Sequence, residues 1–216
     1  IQGARTGLTA GSVPDGGHVM NLSRMNRFTG LRHDEEGRFF LSVQPGVLLS
    51  QIREALAALS FDTGEWSEES RCALQALEQA GPHFFPPDPT ETSASIGGMV
   101  NCNASGAQSF HYGPTRCHVE GLHLVLPDGH TLTIRRGRQR AQGRRFRLRC
   151  DDGHTVEGRL PSYDTPKVKS AAGYEVFDDM DLLDLFVGME GTLGIITEIE
   201  LRLSHSPQAT WGLMCF

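Results

Sequence analysis

The chain has 216 residues and a formal net charge of −6, with 38% hydrophobic and 21% charged residues. This length can bury a substantial core, and the composition is typical of an ordinary globular protein. The acidic balance argues against general nucleic-acid binding, and no apolar run of the sequence approaches the roughly 20 residues of a membrane span.

The cysteines are widely separated and odd in number: Cys72, Cys102, Cys117, Cys150 and Cys215. None of them forms a C-x-x-C pair, so their spacing predicts neither a disulfide framework nor a zinc or iron–sulfur site. The sequence therefore predicts no metal site and a reducing, cytoplasmic location.

Glycines punctuate the first loop, and hydroxyl side chains lie between them: Gly3, Thr6, Gly7, Thr9, Gly11 and Ser12. Amides and hydroxyls in such a loop can converge on phosphate oxygens. The spacing matches neither G-x-G-x-x-G nor the P-loop pattern, which disfavours both of those nucleotide-binding folds.

Residues 18–22 and 38–43 read as strands, with the polar residues 32–37 as a turn between them. An amphipathic helix follows, because apolar residues recur at helical spacing. Its predicted core stripe is Leu48, Leu49, Ile52, Leu56 and Leu59. A second helix is predicted over residues 66–80, with Ser67 as its cap and Gly81-Pro82 as its end.

The segment 84–116 has the most unusual composition of the chain. Pro86, Pro87 and Pro89 predict a stiff, extended wall. Thr92, Ser93 and Ser95 then all suit the N-cap of a short helix, whose glycines are expected to offer free amides to an anion. Short polar residues follow, so we expect a polar ligand against this backbone, although an elaborate proline–glycine turn is the alternative.

Two hairpins are predicted next, at the Asp-Gly turns of residues 128–129 and 152–153. Eight arginines lie between residues 135 and 149. Clustered arginines can bind nucleic acid, but aromatic residues are scarce among them. A solvated face, or a surface for an acidic partner, is therefore the favoured interpretation.

The last third begins with a loop over residues 161–173 that carries Lys167 and Lys169. A short helix over 180–187 ends at Gly188. The glycine-bracketed turn 190–194 then leads into an apolar strand over 195–203, and such a turn permits close approach to a flat ring.

Three of these blocks together resemble a known family. Residues 2–14, 84–116 and 184–197 are similar, in the same order, to the cofactor-binding loops of the FAD-linked oxidase family, with its FAD-binding PCMH-type (vanillyl-alcohol oxidase-like) domain. The likeness is nearest to the branch of D-lactate, glycolate and D-2-hydroxyglutarate dehydrogenases. The resemblance implies an α+β fold of two α/β subdomains, here without the family's N-terminal portion and cap domain.

The resemblance also implies domain limits and a cofactor site. Residues 1–206 would form the FAD-binding domain and 207–216 the start of a substrate or cap domain. The residues implied to hold FAD are Gly3, Ala4, Arg5, Thr6, Gly7, Leu8, Pro87, Asp88, Ser95, Ile96, Gly97, Gly98, Asn101, Asn103, Ala104, Ser105, Gly106, Tyr112, Gly113, Glu190, Gly191, Gly194, Ile195 and Ile196. The first loop has no histidine, which favours non-covalent FAD.

The implied activity is oxidation of a small D-2-hydroxy acid by hydride transfer to FAD, with a quinone, an electron-transfer protein or an iron–sulfur protein as acceptor. No catalytic residue is assigned. His111 lies beside the cofactor segment and has suitable chemistry for a base, but a structural hydrogen bond is the favoured interpretation. Another FAD enzyme on the same fold, or a degenerate interaction domain, stays open.

Overall fold

A computed structural model describes residues 1–166 and 168–214. The elements in chain order are β1 (Phe28–His33), β2 (Phe39–Val43), α1 (Leu49–Ala58), α2 (Glu68–Ala80), β3 (His83–Phe84), α3 (Ile96–Asn101), α4 (Ser109–Tyr112), a 3-10 turn (Thr115–His118), β4 (Val119–Val125), β5 (Thr131–Arg135), β6 (Arg145–Arg149), β7 (Thr155–Arg159), α5 (Leu183–Phe186), β8 (Ile195–Arg202) and β9 (Ser204–His205).

The main sheet has five strands in the order β1-β2-β8-β4-β5, and each pair in it is antiparallel. Strand β8, which comes late in the chain, lies in the middle and joins the β1–β2 hairpin to the β4–β5 hairpin. Two small sheets, β3–β9 and β6–β7, stand apart from it. The mixed helix-and-sheet class predicted from the sequence is confirmed.

Both long helices form where the sequence predicts them. Ile52 and Leu56 of α1 are buried, and Ser67 caps α2 by accepting a hydrogen bond from the Ser70 amide. Leu59 is wrong as a member of the core stripe. It forms the left-handed C-cap of α1 at φ 47° and is 37% exposed, so the helix ends before this side chain can turn inward.

The strand predicted over residues 18–22 is also wrong. That segment makes only an isolated bridge, between Gln2 and Asn21, and nearly all of it is exposed. The strand forms instead over Phe28–His33, and the turn begins at Asp34, whose carboxylate accepts from the amides of Glu36 and Arg38. The sequence signal for this turn is Asp34, because an aspartate side chain readily accepts from amides that follow it. The turn therefore begins two residues later than the start of the polar run at residue 32.

Arginines on the sheet face are paired with buried carboxylates. Glu200 of β8 is 7% exposed and accepts from Arg32 Nε at 2.6 Å and from Arg135 at 2.9 Å. Burial by itself would raise the pKa of Glu200, but the hydrogen bonds and charges of the two guanidinium groups outweigh it and lower that pKa. At least one arginine of the cluster between residues 135 and 149, Arg135, therefore makes a structural ion pair with the main sheet.

We predict that Glu200→Gln destabilises the protein at pH 7 by about 1–3 kcal/mol, because two guanidinium groups lose their common anion. The folded-state pKa of Glu200 is depressed, so its contribution is present above the ordinary value of about 4.3 and is lost as the pH falls through the depressed value. Urea unfolding from pH 7 down to pH 3 measures this.

The matched control is Glu157→Gln, which removes the exposed ion pair between Glu157 and Arg147. That variant should stay within about 0.5 kcal/mol of the wild type at every pH. Equal effects of the two substitutions at pH 7 would contradict the role given to Glu200.

Candidate functional site: a cleft between three loops

A cleft of about 770 Å³ lies where three segments distant in sequence meet. The first glycine-rich loop forms one wall, α3 and the end of the proline segment form another, and the 190–196 turn with the start of β8 forms the third. The volume is within the usual range for a small-molecule site.

Ser95 attaches the first loop to α3. Its buried hydroxyl accepts from the Ala4 amide at 3.2 Å and from the Gly98 amide at 3.4 Å. Gly3 lies so close to the Ser95 side chain that a Cβ at this position would overlap the hydroxyl. The glycine and the serine are therefore required as a pair.

The amides beyond this attachment point are unpaired. Within the described part of the chain, the backbone N–H groups of residues 5 to 9 have no protein acceptor. Arg5 takes a left-handed conformation at φ 63°, which a non-glycine residue adopts at a cost. Successive free amides beside a cleft form a ready site for phosphate oxygens.

The first amides of α3 are not free, contrary to the expectation from the sequence. The Ile96 amide donates to the Val47 carbonyl and the Gly97 amide to the Pro45 carbonyl, each at 2.8 Å. A Cβ on Gly97 would overlap Pro45. The absence of a side chain at Gly97 allows the two backbone segments to approach closely. The first amides of this helix donate to backbone carbonyls and are not available to a ligand.

Asn101 connects α3 to the third wall. Its side-chain oxygen accepts from the Gly191 amide at 2.8 Å, and its backbone carbonyl accepts from the Glu190 amide at 2.9 Å. Glu190 and Gly191 both have positive φ values, 52° and 77°. A non-glycine residue held in this conformation costs about 1–2 kcal/mol, and such residues cluster at functional sites.

Most of the sequence-predicted cofactor residues meet in this cleft. Those that line it are Gly3, Ala4, Arg5, Thr6, Gly7, Leu8, Ser95, Gly97, Gly98, Asn101, Ala104, Glu190, Gly191, Gly194, Ile195 and Ile196. Those that do not line it are Pro87, Asp88, Ile96, Asn103, Ser105, Gly106, Tyr112 and Gly113.

The residues outside the cleft have structural contacts instead. Gly106 packs directly on the Asp88 carbonyl, where a Cβ would overlap. The buried side chain of Asn103 accepts from the Arg116 amide at 3.0 Å, and Tyr112 packs edge-on against Phe84. The proline wall and the Ala104–Gly113 stretch thus pack against each other, which explains their composition without a ligand.

Sequence reasoning missed part of the lining, including Pro45, Met99 and Cys102. Pro45 follows a buried strand and carries no polar side chain, so nothing in the sequence marks it as a cleft residue. Only the structure shows that it packs against Gly97. The cleft therefore has an apolar part, from Pro45, Met99, Ile195 and Ile196, beside its polar loop.

The titratable side chains lining the cleft, among the described residues, are Arg5, Glu91, Cys102 and Glu190. Desolvation, reinforced by the charge of Glu190, raises the pKa of the Cys102 thiol. The Ser93 hydroxyl and amide lower the pKa of Glu91. His111 is not part of the lining and lies exposed against Tyr112.

The residues present fit FAD. A pyrophosphate needs several donors, which the free amides of residues 5 to 9 and the hydroxyls of Thr6 and Thr9 supply. An isoalloxazine ring needs a flat apolar surface, which Ile195 and Ile196 supply beside the cleft. Gly194 meets the backbone of Val125 in a contact that leaves no room for a side chain.

The loop over residues 161–173 lies elsewhere. Lys169 lines a separate cavity of about 610 Å³ together with Asn103, Gly106 and Arg116. Lys167 lies outside the described residues. In the described part of the chain, no helix is long and apolar enough to cross a membrane.

The fold matches that of a solved structure. The structure of alkyldihydroxyacetonephosphate synthase superposes with a TM-score of 0.58 over 96% of this chain and 29% of that protein, at 19% sequence identity. At this identity the match concerns the fold alone. It agrees with the FAD-binding PCMH-type fold expected from the sequence.

Sequence comparison finds similar proteins. The family described as "FAD binding domain" matches residues 71–135. The chain is 33% identical to a D-lactate dehydrogenase of Anaerostipes hadrus (98% of this chain, 32% of the relative) and 33% identical to the glycolate oxidase subunit GlcD of Bacillus subtilis (99% and 33%). It is 28% identical to a D-2-hydroxyglutarate dehydrogenase of Stutzerimonas stutzeri (95% and 32%).

The chain is similar to the FAD-binding domains of FAD-linked oxidoreductases. It spans about a third of the length of the curated relatives it matches.

We predict that Ser95→Ala lowers the free energy of unfolding by about 1 kcal/mol, because the Ala4 and Gly98 amides lose their acceptor in a site that has little access to water. Urea denaturation followed by circular dichroism measures the change.

Ser93→Ala is the control, since it removes an exposed hydroxyl that contacts Glu91 only two residues away. Its effect should stay below about 0.5 kcal/mol. If both variants are as stable as the wild type, Ser95 does not hold the first loop.

Proposed function

We propose that this chain binds FAD in the cleft between the three loops and forms the cofactor-binding part of an enzyme that oxidises a small D-2-hydroxy acid. The observation that carries the proposal is the convergence of residues 3–8, 95–104 and 190–196 on one cleft. These are the segments whose sequence resembles the family's cofactor loops, and several relatives bear the names of D-2-hydroxyacid dehydrogenases.

Each wall has a distinct part in the proposed site. The free amides of residues 5 to 9 hold the pyrophosphate, and Ser95 keeps that loop in place. The apolar start of β8 excludes water from one side of the ring. FAD, when bound, supplies the acceptor for the hydride that leaves the carbon bearing the substrate hydroxyl.

The hydroxyl proton needs an acceptor, and the substrate carboxylate needs a cation. The cleft offers Arg5, Glu91, Cys102 and Glu190 among the described residues, and none of them is a convincing base. Desolvation and the charge of Glu190 raise the pKa of the Cys102 thiol, which disfavours the thiolate, and the two carboxylates would repel an acidic substrate. We therefore propose that the catalytic base and the substrate anchor come from a part of a longer protein outside residues 1–206.

The proposed domain limits follow the same reasoning. Residues 1–206 form the FAD-binding domain, and residues 207–216 begin the substrate or cap domain. Trp211 is 92% exposed and Leu213 is 89% exposed, and side chains of this kind are usually covered by other protein surface. The proposed electron acceptor is a quinone, an electron-transfer protein or an iron–sulfur protein.

We propose a cytoplasmic location. Cys72, Cys102, Cys117 and Cys150 are free thiols in the part of the chain that the structure describes, which suits a reducing compartment.

The first test is an absorbance spectrum of the purified chain and of a longer protein that contains it, before and after denaturation and after addition of FAD. A flavin band near roughly 450 nm that denaturation releases supports non-covalent FAD. If the longer protein neither retains nor binds FAD, the proposed function is wrong.

We predict that Gly7→Asp weakens FAD binding at least about tenfold relative to Gly7→Asn, because only the carboxylate repels the pyrophosphate. No atom lies within 4 Å of a Cβ built on Gly7, so both side chains fit. The asparagine variant is the matched control for size and shape. Quenching of flavin fluorescence gives both dissociation constants, and equal constants would contradict a phosphate site in this loop.

We further predict that the flavin-loaded longer protein reduces a dye acceptor with D-lactate, glycolate or D-2-hydroxyglutarate, and prefers the D over the L enantiomer of a chiral substrate. Steady-state rates with each acid measure this. If the protein binds FAD but oxidises none of these acids, the proposed cofactor stands and the proposed substrate class is wrong.

A further inference from the structure

The sequence Asp-Gly-His-Thr occurs twice, at residues 128–131 and 152–155. The first copy lies at the tip of the β4–β5 hairpin and the second at the tip of the β6–β7 hairpin. Neither copy lines the proposed FAD cleft.

The two copies fold into the same turn. The Asp128 carboxylate accepts from the His130 amide at 3.1 Å, and the Asp152 carboxylate accepts from the His154 amide at 3.0 Å. The intervening glycines have φ values of 90° and 92°. Each histidine therefore leaves its turn in the same direction relative to its own hairpin.

Backbone contacts hold the two tips side by side. The Asp151 amide donates to the Thr131 carbonyl at 2.9 Å, and the Asp151 carboxylate accepts from the Thr133 amide at 3.1 Å. As a result the imidazole rings of His130 and His154 stack, with centroids 4.1 Å apart and planes 4° from parallel.

A carboxylate orients one of the rings. His130 Nδ1 lies 2.6 Å from Asp152 Oδ2. A carboxylate accepts here, so Nδ1 carries the proton and Nε2 keeps its lone pair for another bond. A carboxylate behind a histidine in this way is the usual arrangement around metal-binding imidazoles.

The potential ligand atoms of Asp128, His130 and His154 all lie within 4.8 Å of one another. Ligands around a tetrahedral zinc ion stand roughly 3.3 Å apart, so the set must contract by at most about 1.5 Å. Asp128 and His154 are exposed, and their side chains have room for this movement.

We propose that the two hairpin tips form a binding site for a divalent transition-metal ion of the zinc class. Nε2 of His130, a ring nitrogen of His154 and the Asp128 carboxylate are the ligands, and Asp152 positions His130. Two imidazoles with one carboxylate suit Zn²⁺ better than Ca²⁺ or Mg²⁺, which take oxygen ligands. The fourth position is open to water.

The ion would connect two sheets that share no strand. β6 and β7 form an isolated pair, and an isolated two-stranded hairpin is marginally stable in water. A metal between the tips would fasten this pair to the edge strand β5 of the main sheet. The expected consequence is a higher melting temperature with Zn²⁺, because the ion binds the folded state only.

The experiment is a calorimetric titration of the chelator-treated chain with Zn²⁺. The expected result is one ion per chain, with affinity reduced at least tenfold in both His130→Ala and His154→Ala. His18→Ala is the matched control, since His18 is exposed and far from both turns in the sequence, and its affinity should equal that of the wild type. Asp152→Asn should weaken binding by less than removal of a ligand does.

Circular dichroism shows whether each variant is folded, and Co²⁺ in place of Zn²⁺ gives a visible spectrum that reports the ligand geometry. The proposal is overturned if the wild type takes up no Zn²⁺ at about 1 mM, or if folded His130→Ala and His154→Ala bind it as the wild type does. None of these measurements requires FAD, so their outcome is separate from that of the proposed function.

Discussion

The cleft depends on a close approach of two stretches of backbone. Gly97, at the start of α3, lies against Pro45, and the Ile96 and Gly97 amides donate to carbonyls of residues 47 and 45. This contact fixes α3 against the end of β2. From α3, Ser95 holds the first loop and Asn101 holds the 190–191 turn, so all three walls take their positions from one short helix.

A buried network supports the same region from behind. Arg116 donates to the carbonyls of Asp184 and Val187, and Arg136 makes a hydrogen-bonded ion pair with the Asp184 carboxylate. The Asn103 side chain accepts from the Arg116 amide. The residues after α3 are thereby fixed to α5, just ahead of the turn that closes the cleft. Desolvation lowers the pKa of the Arg116 guanidinium, although the nearby carboxylates oppose that effect.

The sequence was informative where a local signal decides the structure. Asp-Gly pairs predicted the β4–β5 and β6–β7 hairpins, Ser67 was correctly predicted as a helix cap, and Ser95 was one of three residues predicted to cap α3. The sequence was misleading where a glycine is needed because a side chain would not fit against the neighbouring backbone. Gly106 was predicted as a ligand contact but lies outside the cleft, and its absent side chain makes room for Asp88; Gly97 lines the cleft, and its absent side chain also makes room for Pro45. A single sequence does not distinguish these roles, because the partner is distant along the chain. Cysteine spacing carries no information on His130 and His154, which meet only because the two hairpin tips lie side by side.

The place of β8 in the sheet has a consequence for how the protein is made. This strand is the middle one of five, yet it follows the other four strands of the sheet in the chain. Until residues 195–202 have emerged, β2 and β4 each lack a neighbour and present an unpaired edge. The two hairpins can form early because their contacts are local, but the sheet closes only once β8 has been synthesised. During that interval the unpaired edges of β2 and β4 are open to pairing with other chains.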